Sequence, residues 1–399
     1  MRTGLYLAAV QLLFTVTWTI YVAFLPQLAA AAGIPKERVI WILMLDQVIF
    51  IFMDFALGVG ADRVAAAMRR ISTPMIVITA VSALAFVLLP HAGASAGLLL
   101  TLTVIWAVTS SALRAPPMAM FSRYVKAAAA PRFVFLSLLG IGIAGAIAPW
   151  LTARLRSVSP ALPFLLAALG LVAAVLAMGW CERRLAQSDA AAPSTPGAAP
   201  DQSNAARTGR AGGAPTSALF IAVLLLALGF QAHAFINSAP AYLRHAKAPD
   251  LEWLMGLFWI GFSVFIMVPG VGALKQATPA AMLIIGTTVG ALALAAIPAA
   301  PTLVALIAAQ LVAGAAWGVI IGYAFTAAID AGRTGLEGRF TGLVFALLAA
   351  AALTRFLIVF SGGSASPVIQ PLLAWLPALA WSGALVLILI AAQGRAFSR

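Results

Sequence analysis

The chain has 399 residues, 63% of them hydrophobic and only 9% charged, with a formal net charge of +13. A soluble domain carries about 25% charged residues; here the surface would have to be as apolar as the core, which excludes a single water-soluble globule. One cysteine (Cys181), three scattered histidines and the absence of a phosphate-binding loop or nucleophile elbow leave no residue pattern for a disulfide framework, a metal site, a cofactor or an enzyme.

In chain order, polar, Gly and Pro clusters divide the sequence into twelve apolar segments. They lie near 5–31, 39–60, 74–90, 97–121, 132–153 and 160–180, then 217–240, 253–273, 279–298, 302–329, 341–361 and 370–392. Each is long enough to cross about 30 Å of hydrocarbon, where only a helix satisfies its own backbone. The first exceeds the ~7–15 apolar residues of a secretory signal and is expected to stay as a span. Between the sixth and seventh lies an Ala-, Ser-, Pro- and Gly-rich stretch that reads as a flexible tether. The expected organisation is therefore a six-helix bundle over residues 1–180, a linker over 181–216 and a second bundle over 217–399.

The basic residues fall in short loops, which suits membrane orientation rather than nucleic acid. With both termini in the cytoplasm, sixteen Lys and Arg fall inside and six outside, and Arg114 and Arg355 remain within spans. The two halves also echo each other. Gly58-Val-Gly-Ala-Asp62-Arg63 closes the second segment, and Gly270-Val-Gly-Ala-Leu-Lys275 closes the eighth. Tyr21–Leu28 and Phe235–Leu243 each place a proline near the outer end of a half's first segment. Such parallel repeats are a transporter arrangement.

On these features the chain resembles the major facilitator superfamily over its whole length. The specific element is Gly58, Asp62 and Arg63 between spans two and three, which match the family's G-x-x-x-D-R-x-G-R-R pattern. Ala65 replaces its usual glycine, and the arginine pair arrives late as Arg69 and Arg70. The resemblance implies an all-α polytopic membrane protein with twelve transmembrane helices in two pseudo-symmetric bundles. It also implies that this loop latches one state, with Asp62 facing the positive N-terminus of a helix in the other bundle. Gly58 is expected to let the second helix end and pack closely.

Charges inside spans cost about 2.5–3.5 kcal/mol each and are functional candidates. Asp54 and Arg114 fall at a similar depth and are expected to pair, as a fixed structural pair or as a breakable proton site, and Arg114 is also a candidate for substrate contact. Asp46 lies on the same face as Asp54, with no partner evident at its depth, and is the first candidate for a protonatable carboxylate. Arg355 has no acid nearby in sequence and suits a carboxylate or phosphate. On span seven, Gln231, His233 and Asn237 cluster beside Pro240, which frees the carbonyl of Ile236. Trp18 and Tyr21 on span one and Gln310, Trp317 and Tyr323 on span ten are candidates to complete a cavity lining, since the resemblance places spans one, four, seven and ten around a central cavity.

The expectation is a secondary active transporter working by alternating access, with proton-coupled uptake of a small anionic or zwitterionic solute. Proton-antiport efflux is the alternative, and a transporter-like sensor or lipid scramblase the reading of another class. The partners expected are the solute, protons and the bilayer, without nucleic acid, for a monomer in a bacterial inner membrane.

Overall fold

The computed structural model describes residues 2–68, 72–93, 95–122, 130–190, 214–266, 277–332 and 335–393. All twelve expected segments are helical over those residues, and no strand is present among them. Spans one to six comprise Arg2–Ala31, Val39–Met68, Ser72–Leu88, Ala96–Ser110 continued by Ala115–Ser122, Ala130–Leu155 and Ala161–Ala190. Span seven is Ala214–Ala232, a π turn at His233–Asn237, and Ser238–Leu243; span eight enters as Leu251–Leu254 and Leu257–Phe265. Spans nine to twelve are Pro279–Ala296, Leu303–Gly332, Glu337–Phe360 and Gln370–Gln393. Ten of these helices are long and apolar enough to cross a membrane, and span six adds a shorter apolar stretch, Ala161–Ala177.

Local chemistry sets several helix starts. Ser95 Oγ accepts from the Leu98 amide ahead of span four, Thr278 Oγ1 from Ala281 ahead of span nine, and Thr302 Oγ1 from Ala305 ahead of span ten. Each hydroxyl satisfies one of the amides that a helix N-terminus leaves without a partner. Span four is interrupted where Pro117 cannot donate to the carbonyl of Leu113. A 3-10 turn over Ser111–Leu113 takes up the break, and Gln11 Nε2 of span one reaches the Leu113 carbonyl at 3.4 Å.

Two expected boundaries are corrected. The second helix does not end at Gly58 but runs unbroken through the motif to Met68, so Gly58, Asp62 and Arg63 lie on a helix rather than a loop. A mid-helix glycine costs about 1 kcal/mol against alanine, but the Ala, Arg and Met that follow favour helix. The sixth helix likewise continues through Cys181 to Ala190, because "CERRLAQSDA" is built mostly of strong helix formers. Residues 191–213 of the expected tether, the displaced Arg69 and Arg70, and the Gly270 repeat lie outside the described residues.

The halves meet along two seams made by small residues. On one, a Cβ at Gly142 or Gly145 of span five would run into Phe262 or Trp259 of span eight, and one at Gly256 into the Ala146 carbonyl. On the other, span two lies against span eleven along much of its length, with Trp41 edge-on to Phe360 at 4.7 Å near the end opposite the motif. Without a hydrophobic drive between helices in lipid, this backbone proximity is what supplies the dispersion contacts. Within the halves the same device recurs: Gly140 of span five abuts the Ala8 carbonyl of span one, and Gly314 of span ten abuts the Phe258 carbonyl of span eight. Replacing Gly140 by Leu should therefore cost about 1–3 kcal/mol or more through overpacking. Gly60→Ala, whose Cβ would meet nothing within 4 Å, should leave thermal unfolding of the purified protein unchanged or slightly raised. Equal melting for both variants would refute this packing scheme.

Candidate functional site

Four polar centres lie along the spans. The first is at the motif. Asp62 is buried, and its two carboxylate oxygens accept from the amides of Gly338 and Arg339, both at 2.8 Å. These amides belong to the first turn of span eleven, where the helix dipole favours a negative charge. The approach is possible because a Cβ on Gly58 would overlap the Gly338 carbonyl, one on Gly338 would overlap Gly58 and Asp62, and one on Gly342 would meet the Asp54 carbonyl. Arg63, one residue on, is exposed.

Two turns along the same helix, Asp54 is fully buried and pairs with Arg114 at 2.8 Å. Arg114 occupies the break in span four, with its guanidinium 5.0 Å from the rings of both Phe50 and Phe345. Phe345 belongs to span eleven, so this cation touches both halves, in a sandwich worth about 0.5–2 kcal/mol per ring.

The third centre corrects the expectation that Asp46 lacks a partner. Tyr21 Oη donates to Asp46 Oδ2 at 2.8 Å, and both residues are fully buried. Asp46 Oδ1 has no hydrogen-bond partner among the described residues. Tyr21 packs against Trp106 at 4.5 Å, and half-buried Trp18 stacks on Trp106 at 5.8 Å and meets Phe50 at 5.5 Å. Tyr21 thus belongs to the interior of the first half rather than to an open lining, because its hydroxyl satisfies a carboxylate that burial would otherwise strand.

The second half holds the fourth centre. His233 and Gln310 are buried and bonded to each other, Nε2 to Oε1 at 2.8 Å. Gln310 Nε2 donates to Ser238 Oγ at 3.3 Å, and Ser238 Oγ donates to the His233 carbonyl at 2.9 Å. Asn237 Nδ2 donates to the Leu373 carbonyl of span twelve at 2.7 Å. Trp317 stacks on Phe230 at 4.6 Å and lies 5.9 Å from Trp381, inside this half. Tyr323 instead faces the first half, edge-on to Phe135 at 5.1 Å. Expected lining residues Gln310 and Trp317 are therefore internal hydrogen-bonding and packing groups in this state, turned toward span seven, and buried His233 borders a cavity within the second half. Gln231 is half-buried, and its Oε1 has no partner among the described residues.

Arg355 differs from the other intramembrane charges. Its guanidinium lies 4.4 Å from the Phe235 ring of span seven and 4.0 Å from Phe356, and no ion pair with a carboxylate is present among the described residues. Aromatic faces attract the cation but leave its in-plane donors unspent.

Sequence reasoning missed Gly338 and Gly342, although Gly338-Arg-Phe-Thr-Gly342 is a Gly-x-x-x-Gly pattern opening a span and was available as a signal. It also missed Phe345 and Ser238, which nothing in the local sequence distinguishes from packing residues.

No family model and no curated protein matches the chain in sequence. Solved structures do match. The human organic anion transporter MFSD10 (TETRAN) superposes with a TM-score of 0.68 at 14% identity, covering 98% of this chain and 99% of that one. FucP, a major facilitator superfamily transporter in the outward conformation, superposes with a TM-score of 0.69 at 15% identity, covering 98% of each chain. Identities this low speak of fold: the chain is an integral membrane protein with the major facilitator fold.

Removing the carboxylate should leave the span-eleven amides open to exchange. Hydrogen bonds to a charged acceptor contribute about 1.5–3 kcal/mol, so Asp62→Ala should speed hydrogen exchange at Gly338 and Arg339 about tenfold or more. Mass spectrometry of a peptide covering 336–342 measures it. Unchanged exchange would mean that Asp62 does not hold this helix.

Proposed function

We propose that the protein is a secondary active transporter of the major facilitator superfamily that moves a small organic anion by alternating access. The observation that carries this reading is Arg355, a cation in a span whose neighbours are rings rather than carboxylates. A fixed positive charge in low dielectric needs an anion, and a guanidinium offers a carboxylate two parallel donors. The fold-level likeness to a protein described as an organic anion transporter supports the same choice.

The state captured supports alternating access as well. At the motif end the halves are closed by Asp62 on span eleven, Arg114 against Phe345, and Phe135 against Tyr323. Spans one and seven, by contrast, make no extended contact with each other among the described residues. With the motif end in the cytoplasm, as the distribution of Lys and Arg favours, this is an outward-facing arrangement. Inward opening then requires the seam between spans two and eleven to part.

Coupling to protons is assigned to Asp54 and Asp46. A proton on Asp54 would cancel its attraction for Arg114 and free that guanidinium to move with the solute. Asp46 has a free oxygen and a single neutral partner, so it can hold a proton without breaking an ion pair. The direction proposed is uptake, with protons and anion entering together; efflux by antiport is the competing reading.

Proteoliposomes carrying the full chain and a panel of labelled mono- and dicarboxylates test this. An inward proton gradient should drive accumulation, Arg355→Gln should abolish it, and Arg355→Lys, which keeps the charge but not the fork, should retain a fraction. Asp54→Asn and Asp46→Asn should lose gradient-driven accumulation while keeping downhill exchange. Accumulation driven only by the opposite gradient would establish antiport, and normal transport by Arg355→Gln would remove the anion assignment.

A further inference from the structure

The π turn at His233–Asn237 gives span seven two working faces. Phe235 points to Arg355, while His233, Ile236, Asn237 and Pro240 line a separate cavity of about 320 Å³ between spans seven, nine and twelve. At about 30 Å³ per water, that is room for roughly ten waters or a small organic molecule. The cavity lies within the second half and does not include Arg355. Its walls are largely apolar, with Leu294, Ile297, Leu373 and Ala374 among them.

Its polar groups are arranged by sign. At the floor, buried His233 shares a hydrogen bond between its Nε2 and Gln310 Oε1. Asn237 spends Nδ2 on the Leu373 carbonyl and keeps Oδ1. At the rim stands exposed Arg244, which donates to the carbonyls of Pro298 at 2.6 Å, Ile297 at 2.8 Å and Ala241 at 3.4 Å. A guanidinium has five N–H donors, so two remain, and no ion pair neutralises it among the described residues. The Asn237 acceptor and the Arg244 cation, seven residues apart on span seven, thus share one cavity with apolar walls. Single π turns inside α-helices are frequent at functional sites.

We propose that this cavity is a second ligand site, distinct from Arg355, for a small organic acid that also carries hydroxyl or ammonium donors. The carboxylate meets Arg244 at the rim, and the hydroxyl or ammonium reaches Asn237 Oδ1 deeper in. An occupant there presses on the π turn whose other face holds Phe235 against Arg355. It would thereby tune the Arg355 site without entering it.

The test is calorimetric titration of the full chain in lipid nanodiscs with glycerate, gluconate and serine, against acetate and glycerol as controls. At least one of the three acids should bind, with acetate (no donor) and glycerol (no carboxylate) weaker by about tenfold, the value of one charge-assisted hydrogen bond. Asn237→Ala and Arg244→Gln should weaken that binding by a similar factor, while Arg355→Gln should leave it intact. Because Arg244 also ties down the end of span nine, Ala374→Phe serves as a filling variant that blocks the cavity and leaves the floor and rim in place. No binding by any of the three acids, as when a lipid chain fills the cavity, would overturn the proposal. So would binding that Arg355→Gln abolishes and Ala374→Phe does not.

Discussion

The structure depends on one close approach: the backbone of span two against the first turn of span eleven, at Gly58, Gly338 and Gly342, held by the Asp62 carboxylate on two helix-end amides. Neither part suffices alone. Glycines allow the helices near enough for dispersion to act, but in lipid they offer no direction. The carboxylate supplies direction, because the amides of a helix start need acceptors and the helix dipole favours an anion there. Water can replace both hydrogen bonds if the seam opens at the membrane surface, so the contact is firm yet reversible.

Span two distributes its work along a single ridge. Residues 46, 50, 54, 58 and 62 recur every four positions, and each step advances about 40° around the helix. The ridge therefore starts inside the first half, where Asp46 meets Tyr21. It passes Phe50 and Asp54 at Arg114, and it ends on span eleven with Gly58 and Asp62. A charge change at Asp54 thus lies two turns from the clasp, next to a guanidinium that touches Phe345 across the seam. In the second half His233, Gln310 and Ser238 bond to one another and Asn237 bonds to span twelve, while Arg355 is left between two rings. That contrast between a hydrogen-bonded cluster and an intramembrane cation packed on rings is the physical content of the anion assignment.

Much of this was legible in the sequence, for identifiable reasons. Hydropathy gave the segments because a spanning helix has no alternative way to satisfy its backbone. Depth arithmetic placed Asp54 beside Arg114, since both count from charged residues near the same surface. The partner of Asp46 was not legible, because Tyr21 lies 25 residues away on a helix whose rotation hydropathy does not reveal. The same ignorance of rotation turned Trp317 and Gln310 toward a cavity in the sequence reading, whereas span packing turns them inward. The end of helix two was misplaced because glycine was read as a terminator where it serves close approach.

The proposed alternating access requires the seam between spans two and eleven to open and close with solute. Spin labels at the exposed positions 63 and 339 report that distance by double electron–electron resonance. Two distance populations, with the longer one gaining weight when the proposed anion and protons are supplied, are the predicted result. A single short distance under every condition of pH and solute would contradict it.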